Sequence, residues 1–528
     1  MEFIKTSIRI FLRHRNVVNR QIMNKVHNTK ITEESLPKER HYNKSIQNNP
    51  NKVDTLLNIK QTLSSLFETI NPSEDLFLNI RNDIINKHLI PEKSVDLKIL
   101  EACIMYDKFE TAKFYFEYLK SKNYPMNNFI LIKYLQVINA RKIPISNDIQ
   151  EDIINICNKI QKDYECLPTP ILMTCVHALC LTSKWKTAID LIKVNGTMED
   201  ITCATLSCIV LAAFKNGTPK IGFEFLEEIE TNKDYVHGRK TIYNIYLNYY
   251  LQNKQEKLND AIHKMFHFWK KLDVIPVKSV IDIFVDVCIK SGWEGHYVKI
   301  STDGQCSHCQ NYLPSITLKN NFSKLSEAII SNIIIGEDIF QRTSPLEFKK
   351  FKSFIRKFQP FDIVVDGLNV ALNKAQMMEH IVDKFTAEGK KVLIITRKHQ
   401  YKVSKWMFNR DNVYVYFLQD ITQDDPFILY ATLASGNNSK FISIDQMRQH
   451  HHKLKKFNLH KDFIRWQFSH QYTWYYNNVT KMSTLIEPIS YDSFMHNQNG
   501  HWHIPYNDSL KQRHTPSKTW VCLRCPKK

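Results

Sequence analysis

Four aspartates in three separate segments are the residues of this sequence best suited to chemistry. Asp366 ends FDIVVD, Asp445 ends FISID, and Asp424 and Asp425 stand directly before Pro426. Carboxylate oxygens are the ligands that Mg²⁺ or Mn²⁺ prefer. Like charges held close repel, so a fold that gathers four carboxylates needs a counterion. Two such ions could activate water, hold a phosphate and stabilise a leaving oxygen in phosphodiester hydrolysis.

A parallel sheet is the element that would bring these aspartates together. From about Phe348 onward, short apolar runs rich in β-branched residues alternate with stretches of helical character, a pattern typical of a sheet covered on both faces. These runs are FDIVVD, KKVLIITR, NVYVYFL and KFISID. Ligands of such sheets lie beyond the carboxyl ends of the strands. We therefore predict an α/β parallel-sheet domain over 346–494, with the four aspartates on one rim.

Each acidic residue also has a plainer interpretation. A single Asp after a strand is often a turn former, and an Asp pair before Pro is often a helix N-cap.

The histidines near the last aspartate have a different interpretation. His450, His451 and His452 are consecutive and cannot all face one site. They are predicted to form an exposed basic stretch near RNA, with His450 the best phosphate contact. His470 is predicted to be a packed or hydrogen-bonded residue.

A second set of candidate ligands contains sulfur and nitrogen. Among the 12 cysteines, Cys306 and Cys309 form a CxxC pair, a spacing that allows two thiolates to bind one tetrahedral ion. A redox role is disfavoured because no βαβ pattern surrounds the pair. The partners must come from the tail, where the spacing leaves the choice open among four residues: His501, His503, Cys522 and Cys525. A small zinc-binding central domain is predicted over 291–345 with 495–528.

Helical repeats are predicted before these two regions. Compact residues recur at Ala112, Ala188, Gly222 and Ala261, so two separations lie in the thirties and the first is about twice as long. This period predicts an α-solenoid over 86–290, in which helix pairs bury their apolar faces against their neighbours. Repeats of this length bind proteins in the tetratricopeptide type and single-stranded RNA in the pentatricopeptide type. An ordinary helical bundle is the alternative.

The amino-terminal segment and the overall charge indicate destination and partner. Residues 1–30 are basic, contain a single acid at Glu2, and interleave apolar residues with Lys and Arg, as in a mitochondrial transit peptide. A basic RNA-binding arm is the alternative. Residues 31–85 are predicted to be a linker and leading helices. A net charge of +19 indicates a polyanionic partner such as nucleic acid. The absence of a long apolar run predicts no membrane insertion.

Basic side chains flank the predicted carboxylate rim on both sides in sequence. We expect them to hold RNA phosphates beside the metal ions, although solvated helix faces explain most charge runs. They are Lys349, Lys350, Lys352, Arg356 and Lys357 before the first strand, and Lys453, Lys455, Lys456, Lys461 and Arg465 after the last aspartate.

Three stretches of sequence carry a family resemblance. VVDGLNVA, QDDPFILYATLASGNNSKFISIDQMRQHHHKL and FIRWQFSHQY resemble the NYN/PIN-like metallonuclease domain of protein-only RNase P, animal mitochondrial type. The resemblance implies that Asp366, Asp424, Asp425 and Asp445 bind two Mg²⁺ or Mn²⁺ ions, with Asn369 supporting the first loop. Gln449 departs from the family, because an acid is expected there. The sequence DKFETAKFYFEYLKSKNYPMNN likewise resembles a pentatricopeptide repeat.

The resemblance also implies an architecture and a function. The architecture is multidomain, an α-solenoid of pentatricopeptide-like repeats, a zinc domain and the nuclease domain, with His503 and Cys522 completing one structural Zn²⁺ site with Cys306 and Cys309. The implied function is a metal-dependent endoribonuclease of the mitochondrial matrix that removes the 5′ leader from precursor tRNA. Family members of this type work with a tRNA methyltransferase subunit and a short-chain dehydrogenase subunit. A NYN-type nuclease acting on other RNAs and a non-catalytic RNA-binding repeat protein are the alternatives.

Overall fold

The computed structural model describes most of the chain after residue 61. The described residues are 62–69, 72–87, 90–140, 145–195, 201–232, 239–318, 322–331, 344–373, 375–397, 410–419, 425–476, 483–508 and 518–526. The predicted transit peptide, most of the predicted linker and Asp424 lie outside them. The chain divides into two compact units, Met1–Ala261 and Ile262–Lys528. No helix in the described ranges is long and apolar enough to cross a membrane.

The first unit is helical throughout its described part. A short helix at 62–68 comes first. The helices that follow are α1 (Glu74–Asn86), α2 (Val95–Met105), α3 (Phe109–Ser121), α4 (Asn128–Ala140), α5 (Asn147–Asp163), α6 (Thr169–Leu179), α7 (Thr187–Asn195), α8 (Cys203–Lys215), α9 (Pro219–Asn232) and α10 (Arg239–Asn253), and α11 (Leu258–Leu272) spans the dividing point. Short 3₁₀ turns occur at Glu92–Ser94 and Gln255–Lys257.

These helices stack as pairs. Alternate helices pack against one another in the series α2, α4, α6, α8 and α10, and α3, α5, α7 and α9 each pack against a neighbouring member of that series. The compact residues that revealed the period lie on the second helices of pairs, where Ala112 and Ala188 are fully buried and a Cβ on Gly222 would collide with the ring of Phe214. The long first separation contains α5, which supplies the missing repeat. Small side chains therefore recur where successive pairs come close.

The second unit contains a mixed sheet and a small antiparallel sheet. Its elements after α11 are α12 (Lys278–Lys290), β1 (Glu294–Val298), α13 (Phe322–Ala328), α14 (Pro345–Phe358), β2 (Ile363–Asp366), α15 (Gly367–Asn373), α16 (Ala375–Ala387), β3 (Val392–Arg397), β4 (Val413–Leu418), α17 (Asp425–Ser435), β5 (Lys440–Ile442), α18 (Arg448–Leu454), a 3₁₀ turn at Lys455–Phe457, α19 (His460–His470), β6 (Gln471–Tyr476), β7 (Ser483–Ile486), β8 (His496–Gln498), β9 (His501–Tyr506) and β10 (Thr519–Arg524).

The large sheet has the order β4-β3-β2-β5-β6-β7, parallel except for the β6–β7 pair. Strands β2, β3 and β4 follow one another toward one edge, and β5 then pairs with β2 on its other side. The direction of winding therefore reverses between β2 and β5. In open α/β sheets the crevice at this reversal, beyond the carboxyl ends of the strands, is where ligands bind.

Alternation of side chains along the strands separates two cores. Val364, Leu393 and Phe441 lie in the core that contains α14, α17 and α19. Ile363 and Val365 lie in the opposite core with Met377 and the other buried residues of α16. Both faces of the sheet are covered, so the strands consist of continuous apolar residues. A charged residue at the end of such a strand is therefore unusual.

The small sheet has the antiparallel order β1-β10-β9-β8. Trp502 on β9 is fully buried, and its indole N–H donates to His263 Nδ1 of α11 at 3.2 Å. The neighbouring residues His501 and His503 point to the other face, because side chains alternate along a strand. That second face is covered by the CxxC loop, whose Cys306 packs in one cluster with Trp520.

Candidate metal centres

Asp366 is the last residue of β2, and its carboxylate is fully buried. Its Oδ1 accepts a hydrogen bond from the Asn369 backbone N–H at 3.0 Å, and its Oδ2 accepts from the Ser443 hydroxyl at 2.9 Å. The Asn369 side-chain amide donates to the same Oδ2. Hydrogen bonds to both oxygens fix the orientation of the carboxylate.

Gly367 lets α15 begin directly against the sheet. A Cβ at this position would lie 2.8 Å from the Ile395 carbonyl oxygen and 2.9 Å from Thr396 Cβ on the neighbouring strand β3. Backbone and a packed strand cannot yield easily, so only glycine fits. This close approach turns the chain immediately after Asp366 and places Asn369 within reach of its carboxylate.

The loop after β5 connects Asp445 to Asp366. Ser443 Oγ accepts a hydrogen bond from the Asp445 backbone N–H at 3.1 Å while donating to Asp366. Asp445 Oδ1 in turn accepts from the Met447 N–H at 2.5 Å, just before α18 begins. One hydroxyl thus joins the carboxyl ends of the two adjacent strands at the reversal point of the sheet.

A chain of buried polar side chains holds that loop from behind. The Gln471 amide donates to the carbonyl oxygens of Ser443 and Asp445, at 2.7 and 2.8 Å. Gln467 donates to Gln471 Oε1 at 2.6 Å, and His451 Nε2 lies 2.6 Å from Gln467 Oε1. An amide oxygen only accepts, so His451 donates through Nε2. Every bond in this chain points toward the Asp445 loop.

The prediction of an exposed histidine stretch is wrong for the two histidines whose side chains are described. His450 is 4% exposed and His451 is 5% exposed. The reason is that α18 packs against α19, so these positions face the core. Burial lowers the pKa of His450 to about 4, opposed by the nearby charge of Asp445. His450 is therefore a neutral imidazole beside Asp445, and its support of the site stays a prediction.

Asp425 is the first residue of α17, a helix that packs against β2 and β5. An acid in the first turn of a helix interacts favourably with the helix dipole, which is the N-cap alternative raised by the sequence. Within the described residues, Asp366, Asp425 and Asp445 do not form a group of ligand atoms that all lie within 4.8 Å of one another. All of them, with Asn369 and Ser443, offer oxygen ligands, which is the donor set that Mg²⁺ prefers.

Two residues that support this site were not identified from the sequence. Ser443 sits inside FISID, where a small polar residue near the end of an apolar strand was the available signal. Gln471 is the first residue of β6, and nothing local in the sequence reveals that it reaches the β5 loop. Long-range pairing of β5 with β6 creates that contact.

The sulfur and nitrogen ligands form a compact cluster. Ligand atoms of Cys306, Cys309, His503 and Cys522 all lie within 4.8 Å of one another. Cys309 Sγ is 3.1 Å from His503 Nε2. The register of the small sheet places Cys522 on β10 directly opposite His503 on β9, so the backbone alone brings two ligands together. Three cysteines and one histidine are the donor set of a closed zinc site.

Burial shapes the chemistry of this cluster. It lowers the pKa of His503 to about 4, which keeps the imidazole neutral and able to bind a metal. It raises the pKa of Cys522, to which the neighbouring Cys306 and Cys309 contribute. A bound cation would reverse the effect on the thiols, because metal binding releases their protons. Cys525, left open by the spacing, is not part of this cluster.

The basic flanks divide into exposed and buried members. On α14, the side chains of Lys349, Lys350, Arg356 and Lys357 are exposed, as a phosphate-binding surface needs. Arg465 is not part of such a surface. It is 6% exposed, and it donates to Asp273 at 2.7 and 3.0 Å and to Asp492 at 3.1 Å.

The carboxylates around Arg465 on α19 explain why its charge can be buried. Burial alone would lower its pKa, but hydrogen bonds and charge from Asp273, with Asp492, raise it. The guanidinium joins the loop after α11 to the segment before β8. The expectation that it binds RNA is therefore wrong, since a buried paired charge is structural.

Comparison with known proteins finds similarity over the region that contains this geometry. Residues 300–522 match the family model described as protein-only RNase P. The mitochondrial ribonuclease P catalytic subunit of Rattus norvegicus is 26% identical over 511 residues, which cover 91% of this chain and 82% of that protein. Over these residues the chain is similar to protein-only RNase P.

One further relative is similar over a shorter span, and one solved structure is similar in fold. The mitochondrial ribonuclease P catalytic subunit of Mus musculus is 35% identical over 247 residues, 44% of this chain and 42% of that protein. The crystal structure of nuclear proteinaceous RNase P 2 of Arabidopsis thaliana has a TM-score of 0.56 and 15% identity, covering 83% of this chain and all of that chain. This structural likeness supports the fold.

Proposed function

We propose that this chain is the catalytic subunit of a mitochondrial RNase P, an endoribonuclease that removes the 5′ leader from precursor tRNA. The observation that carries the proposal is the hydrogen-bonded pair of strand ends, Asp366 to Ser443 to Asp445, at the reversal point of the sheet. It lies inside the region that matches the family model. The names of the rat and mouse relatives support a mitochondrial location, which we assign to the matrix.

The proposed catalytic ligands are Asp366, Asp424, Asp425 and Asp445, holding two Mg²⁺ or Mn²⁺ ions. Bound Mg²⁺ supplies an activated water and charge stabilisation at the phosphate. The side chains of Asn369 and Ser443 hold the Asp366 carboxylate in one orientation, and Gln471 holds the loop that carries Asp445. Hydrolysis then leaves a 5′-phosphate on the tRNA and a 3′-hydroxyl on the leader.

The other parts have proposed roles in binding and assembly. The stacked helix pairs are proposed to be pentatricopeptide repeats that bind the tRNA, and the exposed cations of α14 to contact its phosphates. Cys306, Cys309, His503 and Cys522 are proposed to hold one structural Zn²⁺. A tRNA methyltransferase subunit and a short-chain dehydrogenase subunit are the proposed partners.

The test is cleavage of a 5′-labelled mitochondrial precursor tRNA by the purified full-length chain. We expect a cut at the mature 5′ end with Mg²⁺, no cut with EDTA, and recovery when Mg²⁺ is returned in excess. End-group analysis should give a 5′-phosphate on the tRNA. If the chain alone is inactive, the assay is repeated with the two partner subunits. Cuts at other sites would support a different RNA substrate, and binding without cleavage in every condition would overturn the proposal.

A further inference from the structure

A second group of metal-binding side chains lies outside the cysteine cluster. Glu294 and His296 are on β1, and His308 is in the CxxC loop between Cys306 and Cys309. Their ligand atoms all lie within 4.8 Å of one another. Glu294 Oε1 is 3.0 Å from His308 Nε2 and 3.7 Å from His296 Nε2. None of these residues belongs to either proposed metal centre described above.

The backbone places the three side chains on one face. Glu294 and His296 are two residues apart on a strand, so both project toward the face that the CxxC loop covers. The register pairs His296 with Cys522, a member of the cysteine cluster on that face. The loop is tied to the end of β1, because the Ser307 N–H donates to the Lys299 carbonyl at 3.0 Å and the Lys299 N–H donates to Ser307 Oγ at 3.1 Å.

The spacing of the donor atoms suits one small cation. Zinc bonds to imidazole nitrogen and carboxylate oxygen hold donor atoms about 3.4 Å apart when the ion is tetrahedral. The observed separations of 3.0 and 3.7 Å lie on either side of that value. The two imidazoles stack with ring centroids 3.8 Å apart, so binding of one ion by both Nε2 atoms requires the exposed His296 side chain to rotate.

We propose that Glu294, His296 and His308 form a second divalent-metal site, open to solvent, that takes Zn²⁺ or a similar borderline ion. Two imidazoles and one carboxylate are a frequent three-ligand set for zinc, and the fourth position is left to water or another ligand. The side chains of the three residues are 49%, 47% and 30% exposed for His296, Glu294 and His308, so an ion can enter without unfolding. The competing explanation is that Glu294 and His308 only clamp the CxxC loop to β1.

The experiment is a zinc titration of the full-length chain that already carries its cysteine-bound zinc. Elemental analysis first gives the zinc content, and calorimetry in the presence of a competing chelator then counts further binding. We expect one additional equivalent in the unchanged chain and its weakening by more than about tenfold in His308→Gln and in His296→Gln. His380→Gln, at an exposed histidine of α16, is the matched control and should bind like the unchanged chain.

Cobalt separates this site from the cysteine cluster. Co²⁺ added after the cysteine cluster is filled should give ligand-field bands without the thiolate charge-transfer band of a cysteine site. A thiolate band for the additional equivalent, or equal binding by His308→Gln, His296→Gln and the unchanged chain, would overturn the proposal. His296 lies on a different segment from His308, so its variant decides the question if His308→Gln disturbs the CxxC loop. None of these readouts depends on RNA cleavage.

Discussion

The cysteine cluster and the carboxylate rim are two candidate metal centres that the fold builds in opposite ways. In the cluster, four ligand atoms already lie within 4.8 Å of one another. At the rim, among the residues that the structure describes, the carboxylates of Asp366, Asp425 and Asp445 do not lie that close together. Asp366 and Asp445 are connected by hydrogen bonds through the Ser443 hydroxyl. The structure therefore brings the candidate ligands of the first centre together, whereas the described carboxylates of the second remain apart.

Charge and backbone explain the difference. Sheet register sets Cys522 opposite His503, and neutral thiols and imidazoles do not repel, so the protein alone can close this centre. The aspartates come from separate loops and repel one another, so their approach needs a cation. A preassembled centre suits a structural role, whereas a centre that depends on its ion for closure suits chemistry at that ion.

The largest expected effect is loss of cleavage with the fold retained. In Asp366→Asn the amide still hydrogen-bonds with Asn369 and Ser443 after they reorient, but a charged ligand is gone. We expect cleavage to fall on the order of a thousandfold. The free energy of unfolding should change by no more than about 2 kcal/mol.

Single-turnover cleavage and urea unfolding measure these two quantities. Asp362→Asn is the control, because Asp362 directly precedes the same strand, at the end opposite Asp366, and accepts a hydrogen bond from the Lys391 N–H at 2.7 Å. An amide oxygen can keep that bond. Asp366→Asn that cleaves within tenfold of the unchanged chain would contradict the assignment of the rim.

Removing a ligand of the cysteine cluster should mainly lower stability, and cleavage should fall only as a consequence. Cys309→Ser removes one ligand, so we expect zinc loss and destabilisation of the second unit by several kcal/mol, since the binding energy of a structural zinc contributes to folding. Cleavage should fall with the folded fraction, and added Mg²⁺ should not restore it. Thermal unfolding and zinc content are the measurements.

Cys525→Ser is the matched control for that experiment. Cys525 is three residues from Cys522 but outside the cluster, so this variant should keep its zinc and its melting temperature. Equal losses in Cys309→Ser and Cys525→Ser would show that the ion is held by a different set of ligands.

The sequence was sufficient for the parts that local pattern determines. Strand runs bounded by polar residues predicted the parallel sheet, whose winding reverses between β2 and β5. Of the four aspartates chosen from the sequence, Asp366 ends β2 and Asp445 lies in the loop after β5. The helix pairs follow the recurrence of Ala112, Ala188, Gly222 and Ala261. The roles of the individual aspartates and the limits of the domains stay predictions.

What the sequence could not supply depends on packing between distant segments. A run of histidines looks basic and solvated, and only the packing of α18 against α19 buries His450 and His451. Arg465 looks like its basic neighbours until Asp273 and Asp492 are brought to it. The hydrogen bonds from Gln471 to the Asp445 loop likewise cannot be inferred from the sequence, because they depend on the pairing of β5 with β6. Each error concerns a polar residue whose partner lies far away in the chain.

The support of the rim by Gln471 gives a smaller and more specific effect. Gln471→Leu keeps the size of the side chain but removes both hydrogen bonds to the Asp445 loop. We expect a loss of about 10- to 100-fold in cleavage, as for other groups that orient metal ligands. The Mg²⁺ concentration for half-maximal activity should rise, and KM for precursor tRNA should stay the same.

A graded variant distinguishes positioning from general damage. Gln467→Leu acts one link further away and should give a smaller shift in the Mg²⁺ requirement than Gln471→Leu. If both variants lower the melting temperature while the Mg²⁺ requirement is unchanged, the chain from His451 to the loop serves stability and does not position the metal ligands.

The smallest expected effect is a loss of stability of the first unit in acid, caused by His177. This loss also affects acid titrations of both candidate metal centres. His177 on α6 is half-buried, with Nε2 3.0 Å from Thr205 Oγ1, and its partial burial lowers its pKa to about 4 from an ordinary 6.5. A group with a lowered folded pKa contributes stability above pH 6.5 that is lost as the pH falls toward 4. The full loss is about 3 kcal/mol.

Acid weakens metal binding at both centres, so this metal-independent loss must be subtracted before the centres are compared. Hydrogen exchange of the α6 amides between pH 7 and 4, corrected for intrinsic exchange, measures the stability of this region within the full-length chain. His177→Gln should flatten the pH dependence, and His380→Gln, at an exposed histidine, should leave it as it is. An equal slope in His177→Gln and the unchanged chain would assign the acid sensitivity of α6 to other groups.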